Sequence, residues 1–185
     1  GLAISSETNQ IDAVVPGLKL NVMQTTSSAV ALSVGRDTTV AKAAITGLVD
    51  AYNTFEGIIK GLTASGSATT DAGSLKTDAT VKSIRTKMRS FLTTNSSTPG
   101  NTQDNVMDIG ISIQKNGKFL VNQASLGSAL TNYYADITKM FSANTDDQTS
   151  LGTANRGIAG DLVHEIAAYL AYDGVVKVRE TSYAK

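Results

Sequence analysis

His164 is the single histidine in a chain that has no cysteine. It neighbours Glu165 and lies one turn before Ala168, so a general-base role is conceivable on position alone. With no thiol to activate and no second histidine to share a metal, the favoured reading is a partly exposed helical histidine. Asp146-Asp147 offers two carboxylates in a polar loop, but the glycine and terminal glutamate of a 12-residue calcium loop are missing, which favours a solvated acidic turn. Gly61, Gly66 and Gly73 have no strand-to-helix context and no following Lys-Thr/Ser, so they do not form a phosphate loop. Tyr133 and Tyr134 could stack on a ligand; packing of Tyr133 in the core, with Tyr134 at a rim, is the simpler use of the pair. No catalytic constellation emerges. The chain is expected to be no enzyme and to hold no cofactor or metal.

The elements around these residues are easier to read. Ala41, Ile45, Leu48, Tyr52, Phe55, Ile59 and Leu62 are separated by steps of 4, 3, 4, 3, 4 and 3. That heptad spacing keeps one apolar stripe on a helix over 38–62, about 37 Å long at ~1.5 Å per residue. A strand would scatter the same side chains over both faces. Asp37 or Thr38 is placed to cap it. Val81, Ile84, Met88 and Phe91 define a second helix over about 78–93, with Lys82, Arg85, Lys87 and Arg89 on its other faces. Leu126, Leu130, Tyr133, Ile137 and Met140 define a third over about 124–141, with Asn122 as its cap. Ile158, Leu162, Ile166, Tyr169 and Leu170 mark a fourth from Gly157, which Asp173-Gly174 interrupts before helical sequence resumes. An intramolecular bundle accounts for most of each seam, although a seam alone does not say whose helix covers it.

Two regions read as β. In 1–36, Leu2 and Ile4 alternate with small or polar neighbours, the stretch Ile11-Asp12-Ala13-Val14-Val15 precedes a Pro16-Gly17 type II turn, and Leu18, Leu20 and Val22 alternate beyond it. Val30, Leu32 and Val34 continue the pattern as half-buried antiparallel strands. In 108–121, Ile109, Ile111 and Ile113 face Phe119 and Val121 across Lys115-Asn116-Gly117-Lys118, with Asn-Gly at the centre of a type I′ hairpin turn. Ser/Thr/Gly/Asn-rich stretches over 63–74, 94–104 and 142–155 are loops, the second carrying a Pro99-Gly100 turn. The expected fold is therefore α+β: a bundle of about four long helices with coiled-coil-like seams, plus small antiparallel ribbons at about 1–36 and 108–121. Residues 1–36 lead into a helical region, 37–185, that carries the hairpin as an insert, the whole forming one structural domain.

Composition narrows the partners. Sixteen Lys plus Arg balance sixteen Asp plus Glu, and no basic cluster exists, so nucleic acid is not an expected partner. No apolar run approaches the ~18 residues of a spanning helix, so membrane insertion is not expected either. Tryptophan is absent and aromatics make up 5%, too few for a deep aromatic pocket. The chain starts in strand-like sequence at Gly1 and stops at Lys185 in helical sequence, the expectation being a fragment of a longer protein.

Several stretches, taken in order, resemble the bacterial flagellar filament-capping family (FliD, hook-associated). Ile11-Asp12-Ala13-Val14-Val15-Pro16-Gly17-Leu18-Lys19-Leu20 is similar to its Asp-x-Val-Ile-Pro-Gly-Val-x-Leu strand-turn-strand. Val34-Gly35-Arg36-Asp37-Thr38 resembles Val-Ser-Arg-Asp-Thr, and Leu48-Val49-Asp50-Ala51-Tyr52-Asn53 resembles Phe-Val-Asp-Ala-Tyr-Asn most closely. Gly73-Ser74-Leu75 with Asp78 and Val81, then Met107-Asp108-Ile109-Gly110-Ile111, then Tyr169-Leu170-Ala171-Tyr172-Asp173-Gly174 follow at the family's spacing. Gly35 replaces the usual serine, Thr77 the usual glycine, and Leu18-Lys19 the usual Val-Thr, which marks a divergent member.

The resemblance implies a structural assembly protein: a ring-like homo-oligomer at the distal filament tip that retains exported flagellin and promotes its polymerisation. This chain would be the helical leg domain, near the hook–filament junction proteins and flagellin. It would be extracellular, exported by the flagellar type III pathway. Another axial flagellar protein (flagellin or hook–filament junction type) or a surface adhesin is the alternative. Charge placement then nominates subunit contacts: Lys82, Arg85 and Arg89 against Asp50, Glu56 or Asp136 of a neighbour.

Overall fold

A computed structural model of the chain describes residues 4–11, 18–143 and 154–183. Leu2, the Pro16-Gly17 turn and Asp146-Asp147 lie outside the described residues. The chain divides into two compact units, Gly1–Gly35 and Arg36–Lys185.

The first unit holds a short ribbon. Strand β1 (Gln10–Ile11) pairs antiparallel with β2 (Leu20–Asn21), Ile11 opposite Leu20. The expected strands at Val30, Leu32 and Val34 are not there. These residues are in coil and exposed by 74%, 63% and 75%. Alternation supplies a strand's periodicity but not a partner for its peptide groups, and a strand is marginal without one.

The second unit starts with a doubly anchored turn. Asp37 Oδ1 accepts the Thr39 backbone N–H at 2.9 Å, and the Arg36 guanidinium lies 4.3 Å above the Tyr134 ring. Hydrogen bonds from the Thr39 backbone N–H and then from its side-chain hydroxyl hold the Asp37 carboxyl below the usual carboxylate range. Helix α1 (Thr39–Leu62) follows as its spacing predicts, with Lys60 in the last turn to suit the helix dipole. Its deepest line is Ile45, Val49, Tyr52 and Glu56, displaced from the expected seam; Ala41, Leu48 and Phe55 are half-buried beside it. The displacement arises because α1 is covered on two flanks. Helix α2 (Ala79–Thr93) is capped by Asp78, whose Oδ1 accepts from Thr80 N at 2.7 Å and Val81 N at 3.0 Å. Met88 and Leu92 are its buried residues.

Strands β3 (Ile111–Ile113) and β4 (Phe119–Val121) form the expected hairpin, Ile111 opposite Val121 and Ile113 opposite Phe119. Its turn sits one residue earlier than expected. Gly117 N donates to Gln114 O at 2.9 Å, closing a turn over 114–117 with Lys115-Asn116 at its centre. Gly117 comes last, at φ +85°. This is the three-residue loop ending in a left-handed glycine, not the two-residue type I′ loop.

The expected third helix is two helices, α3 (Gln123–Asn132), capped by Asn122, and α4 (Tyr134–Ser142). They part at Tyr133, whose φ of −129° lies outside helical values. The seam survives the break: Leu126, Leu130, Ile137 and Met140 are all buried. The tyrosines exchange the expected roles. Tyr133 is 44% exposed, whereas Tyr134 packs against the core beneath Arg36.

Helix α5 (Gly157–Leu170) begins at a glycine for a steric reason. Gly157 has φ +77°, and a Cβ there would sit 2.7 Å from the Phe141 backbone. Helix α6 (Val175–Tyr183) resumes after Asp173-Gly174, as expected. The core gathers Val49, Leu92, Val106, Ile109, Ile111, Leu126, Leu130, Met140 and Ile158 from α1, α2, the loop before β3, β3, α3, α4 and α5. The fold is thus α+β, mainly a helical bundle with two small antiparallel ribbons.

Candidate functional site

The Asp50-Ala51-Tyr52-Asn53 stretch of α1 acquires a physical meaning where the hairpin docks. The Asn53 side-chain amide donates to Phe119 O at 2.9 Å and accepts from Phe119 N at 2.8 Å. It occupies the outer backbone groups of β4 much as a neighbouring strand would. Tyr52 meets the Phe119 ring edge-on, with centroids 5.0 Å apart.

One turn on, Glu56 is 1% exposed. Both its oxygens bind Arg85: Nε donates at 2.9 Å, and Nη2 makes a second, shorter bond. Arg89 Nη2 donates to Glu56 Oε1 at 3.2 Å, and Arg89 Nε to the Tyr52 hydroxyl at 3.3 Å. Tyr52 pairs with Arg89 and Glu56 with Arg85, so α1 and α2 run antiparallel here. Burial pushes the Glu56 carboxyl up. The Arg85 hydrogen bond and the charges of Arg85, Arg89 and Lys60 outweigh it and hold the group below its ordinary value. The hairpin tip seals the cluster: a Cβ on Gly117 would lie 2.5 Å from Glu56 Oε1 and 2.6 Å from Arg89 Nη2.

Glu56, Arg85 and Arg89 are three of the residues that charge placement nominates for contacts between copies. Arg85 and Arg89 meet Glu56 inside a single chain, and Glu56 has no exposed surface to offer a neighbour. The sequence did hold a signal for the cluster. Glu56 continues the Ile45, Val49, Tyr52 line at helical spacing, and an acid in an apolar line needs a partner. Asn53 gave no such signal, because its partner is backbone 66 residues away. The other nominated residues lie apart. Lys82 and Asp50 are exposed on α2 and α1. Asp136 accepts from Thr102 N at 3.3 Å and Thr102 Oγ1 at 3.2 Å, and so pins the loop before the hairpin.

Beside the cluster runs an apolar trough of about 420 Å³, walled by Leu48 and Phe55 of α1, Ile84 and Met88 of α2, and Leu162 and Ile166 of α5. Tyr169 closes one flank. Burial first, then the Glu165 carboxylate, pushes its phenol up to about 12. His164 is half-buried on α5, and its neighbour Glu165 reaches Lys87 at 4.0 Å. Among the described residues, no group of three or more His, Asp or Glu could hold a metal, and no helix is long and apolar enough to cross a membrane.

The α1–α2 contact is thus made by Glu56, Arg85, Arg89 and Tyr52 bonding to one another within the helical bundle. The chain belongs to the flagellar hook-associated protein 2 C-terminus family, whose profile matches residues 1–185. It is 28% identical to the lateral flagellar hook-associated protein 2 of Vibrio parahaemolyticus, over 78% of this chain and 32% of that protein. It is 27% identical to the A-type flagellar hook-associated protein 2 of Pseudomonas aeruginosa, over 85% of this chain and 35% of that protein. The chain thus spans about a third of the length of these curated relatives. Its fold resembles the crystal structure of the flagellar cap protein FliD D1-D2-D3 domains from Escherichia coli, with a TM-score of 0.67 at 23% identity. That likeness covers 97% of this chain and 46% of the other.

Proposed function

We propose that this chain is the leg part of a flagellar filament cap, a structural piece of a homo-oligomer that retains exported flagellin at the filament tip and promotes its polymerisation. The observation that carries the reading is the family match along all 185 residues. The names of the relatives place that family in the flagellum. The interior supports the same reading, because Glu56, Arg85 and Arg89 tie α1 to α2 while the Asn53 amide ties α1 to the hairpin. Export by the type III pathway and neighbours at the hook–filament junction belong to this proposal.

The test is genetic. A strain lacking the parent gene is grown, and monomeric and polymerised flagellin in the medium are separated by sedimentation. Abundant monomer with bald or stubby cells, reversed by restoring the gene, is the expected result. Normal filaments without leakage would sink the reading.

A further inference from the structure

Asn116-Gly117 is the chain's single Asn-Gly pair, and it stands at the tip of the β3–β4 hairpin. Asparagine is thermally labile, most of all before glycine, where no side chain shields the following backbone nitrogen from the asparagine side chain. In the deamidation that such a pair undergoes, the Gly117 nitrogen gives its proton to hydroxide and bonds to Asn116 Cγ. The Cγ–Nδ2 bond breaks, and Nδ2 takes a proton from water and leaves as ammonia. Water then opens the resulting cyclic imide at either carbonyl, to give aspartate or isoaspartate. Water and hydroxide are the only co-reactants, and Asn116 is exposed to them.

The folded hairpin opposes each requirement of that reaction. Gly117 is buried and its N–H donates to Gln114 O at 2.9 Å, so the nucleophile keeps its proton. Asn116 Oδ1 accepts from Lys118 N at 3.0 Å, which fixes the side chain that must be attacked. The tip has no slack for rearrangement, since a Cβ on Gly117 would already meet Glu56 Oε1 at 2.5 Å and Arg89 Nη2 at 2.6 Å. Beyond it, Asn53 of α1 bonds both backbone groups of Phe119. We propose that Asn116 is a spontaneous deamidation site and that docking of the hairpin on α1 holds the reaction off. The site then reacts only while the hairpin is lifted, at a rate set by the population of that open form. Isoaspartate lengthens the main chain by a single atom between Asn116 and Gly117, so a reacted tip no longer closes the 114–117 turn in register. An opening that lasts long enough to react becomes permanent, and the Asn53 and Glu56 contacts set how often that happens. This holds whether or not the chain serves at a filament tip.

Deamidation of Asn116 is followed in the intact chain by peptide mass mapping of the hairpin, with the aspartate and isoaspartate products separated by chromatography. In mildly alkaline buffer the folded parent is expected to react on the order of a hundredfold more slowly than the same protein unfolded in guanidinium chloride. Asn53→Ala is expected to recover about tenfold of that difference and to speed hydrogen exchange of the Gly117 N–H by the same factor. Glu56→Gln supplies the comparison instead where circular dichroism shows that Asn53→Ala has lost its helices. Equal rates in the folded and the unfolded parent would overturn the protection. So would faster exchange at Gly117 without faster deamidation in a folded variant. An Asn116 that stays intact in the unfolded protein would remove the site itself.

Discussion

At the scale of single residues, Glu56 decides more than its neighbours. Its arginine partners are about one-third exposed, so they can turn to water when the carboxylate is lost. Glu56→Ala is therefore expected to cost about 1–3 kcal/mol, less than breaking a fully buried pair. Its pH dependence has a definite sign. The folded carboxyl sits below its ordinary value of 4.5, so its contribution is complete above that pH and is lost as pH falls through the folded pKa. Urea midpoints for parent and variant should differ at neutral pH and converge in acid. Gly117→Ala meets both a positive φ and the Glu56 oxygen, and a loss of ~1–3 kcal/mol in the same assay is expected. Asn53→Ala strands the Phe119 N–H and C=O in a part-buried site, and a comparable loss, ~1–3 kcal/mol, should appear in thermal melts.

At the scale of elements, what is legible depends on whether the governing contact is local. Helix α1 is readable because heptad spacing is a property of α1 alone, though its deepest line shifts to Val49 and Glu56, and Asn122 announces α3 by capping it. The break at Tyr133 is not readable, since neither Gly nor Pro marks it and the apolar spacing runs straight through. The hairpin is readable, but its turn register is not. Asn-Gly suits a type I′ turn, while the packing of Gly117 against Glu56 favours the longer loop. The Val30, Leu32 and Val34 alternation misleads because pairing is a property of two segments. Two substitutions separate these cases. Leu126→Ala, at a fully buried seam position, is expected to cost about 2–5 kcal/mol, and Leu32→Ser, at an exposed one, less than ~0.5 kcal/mol. Denaturant titrations of both in the intact chain would check this.

At the scale of the whole molecule, internal and external charges have to be separated before any contact between copies is tested. Reversing Arg85 or Arg89 would disturb the inside of the unit through Glu56, so a change in oligomer size would be ambiguous. Lys82 and Asp50 are exposed and clear of that cluster. If they meet across a subunit boundary, Lys82→Glu should reduce the oligomeric fraction of the parent protein in light scattering. Combining it with Asp50→Lys should restore that fraction. Each exposed pair is worth only ~0.2–1 kcal/mol, so the effect is read best near the dissociation midpoint.

The turn at Arg36-Asp37 also has a mechanical side. Arg36 is clamped on Tyr134 of α4, and one residue later Asp37 grips the start of α1. Tension arriving along the backbone from Gly35 is therefore shared between two helices before it can peel the first turn of α1. Force spectroscopy on Arg36→Ala should show that turn unravelling at lower load, with the rupture of the remaining bundle unaltered.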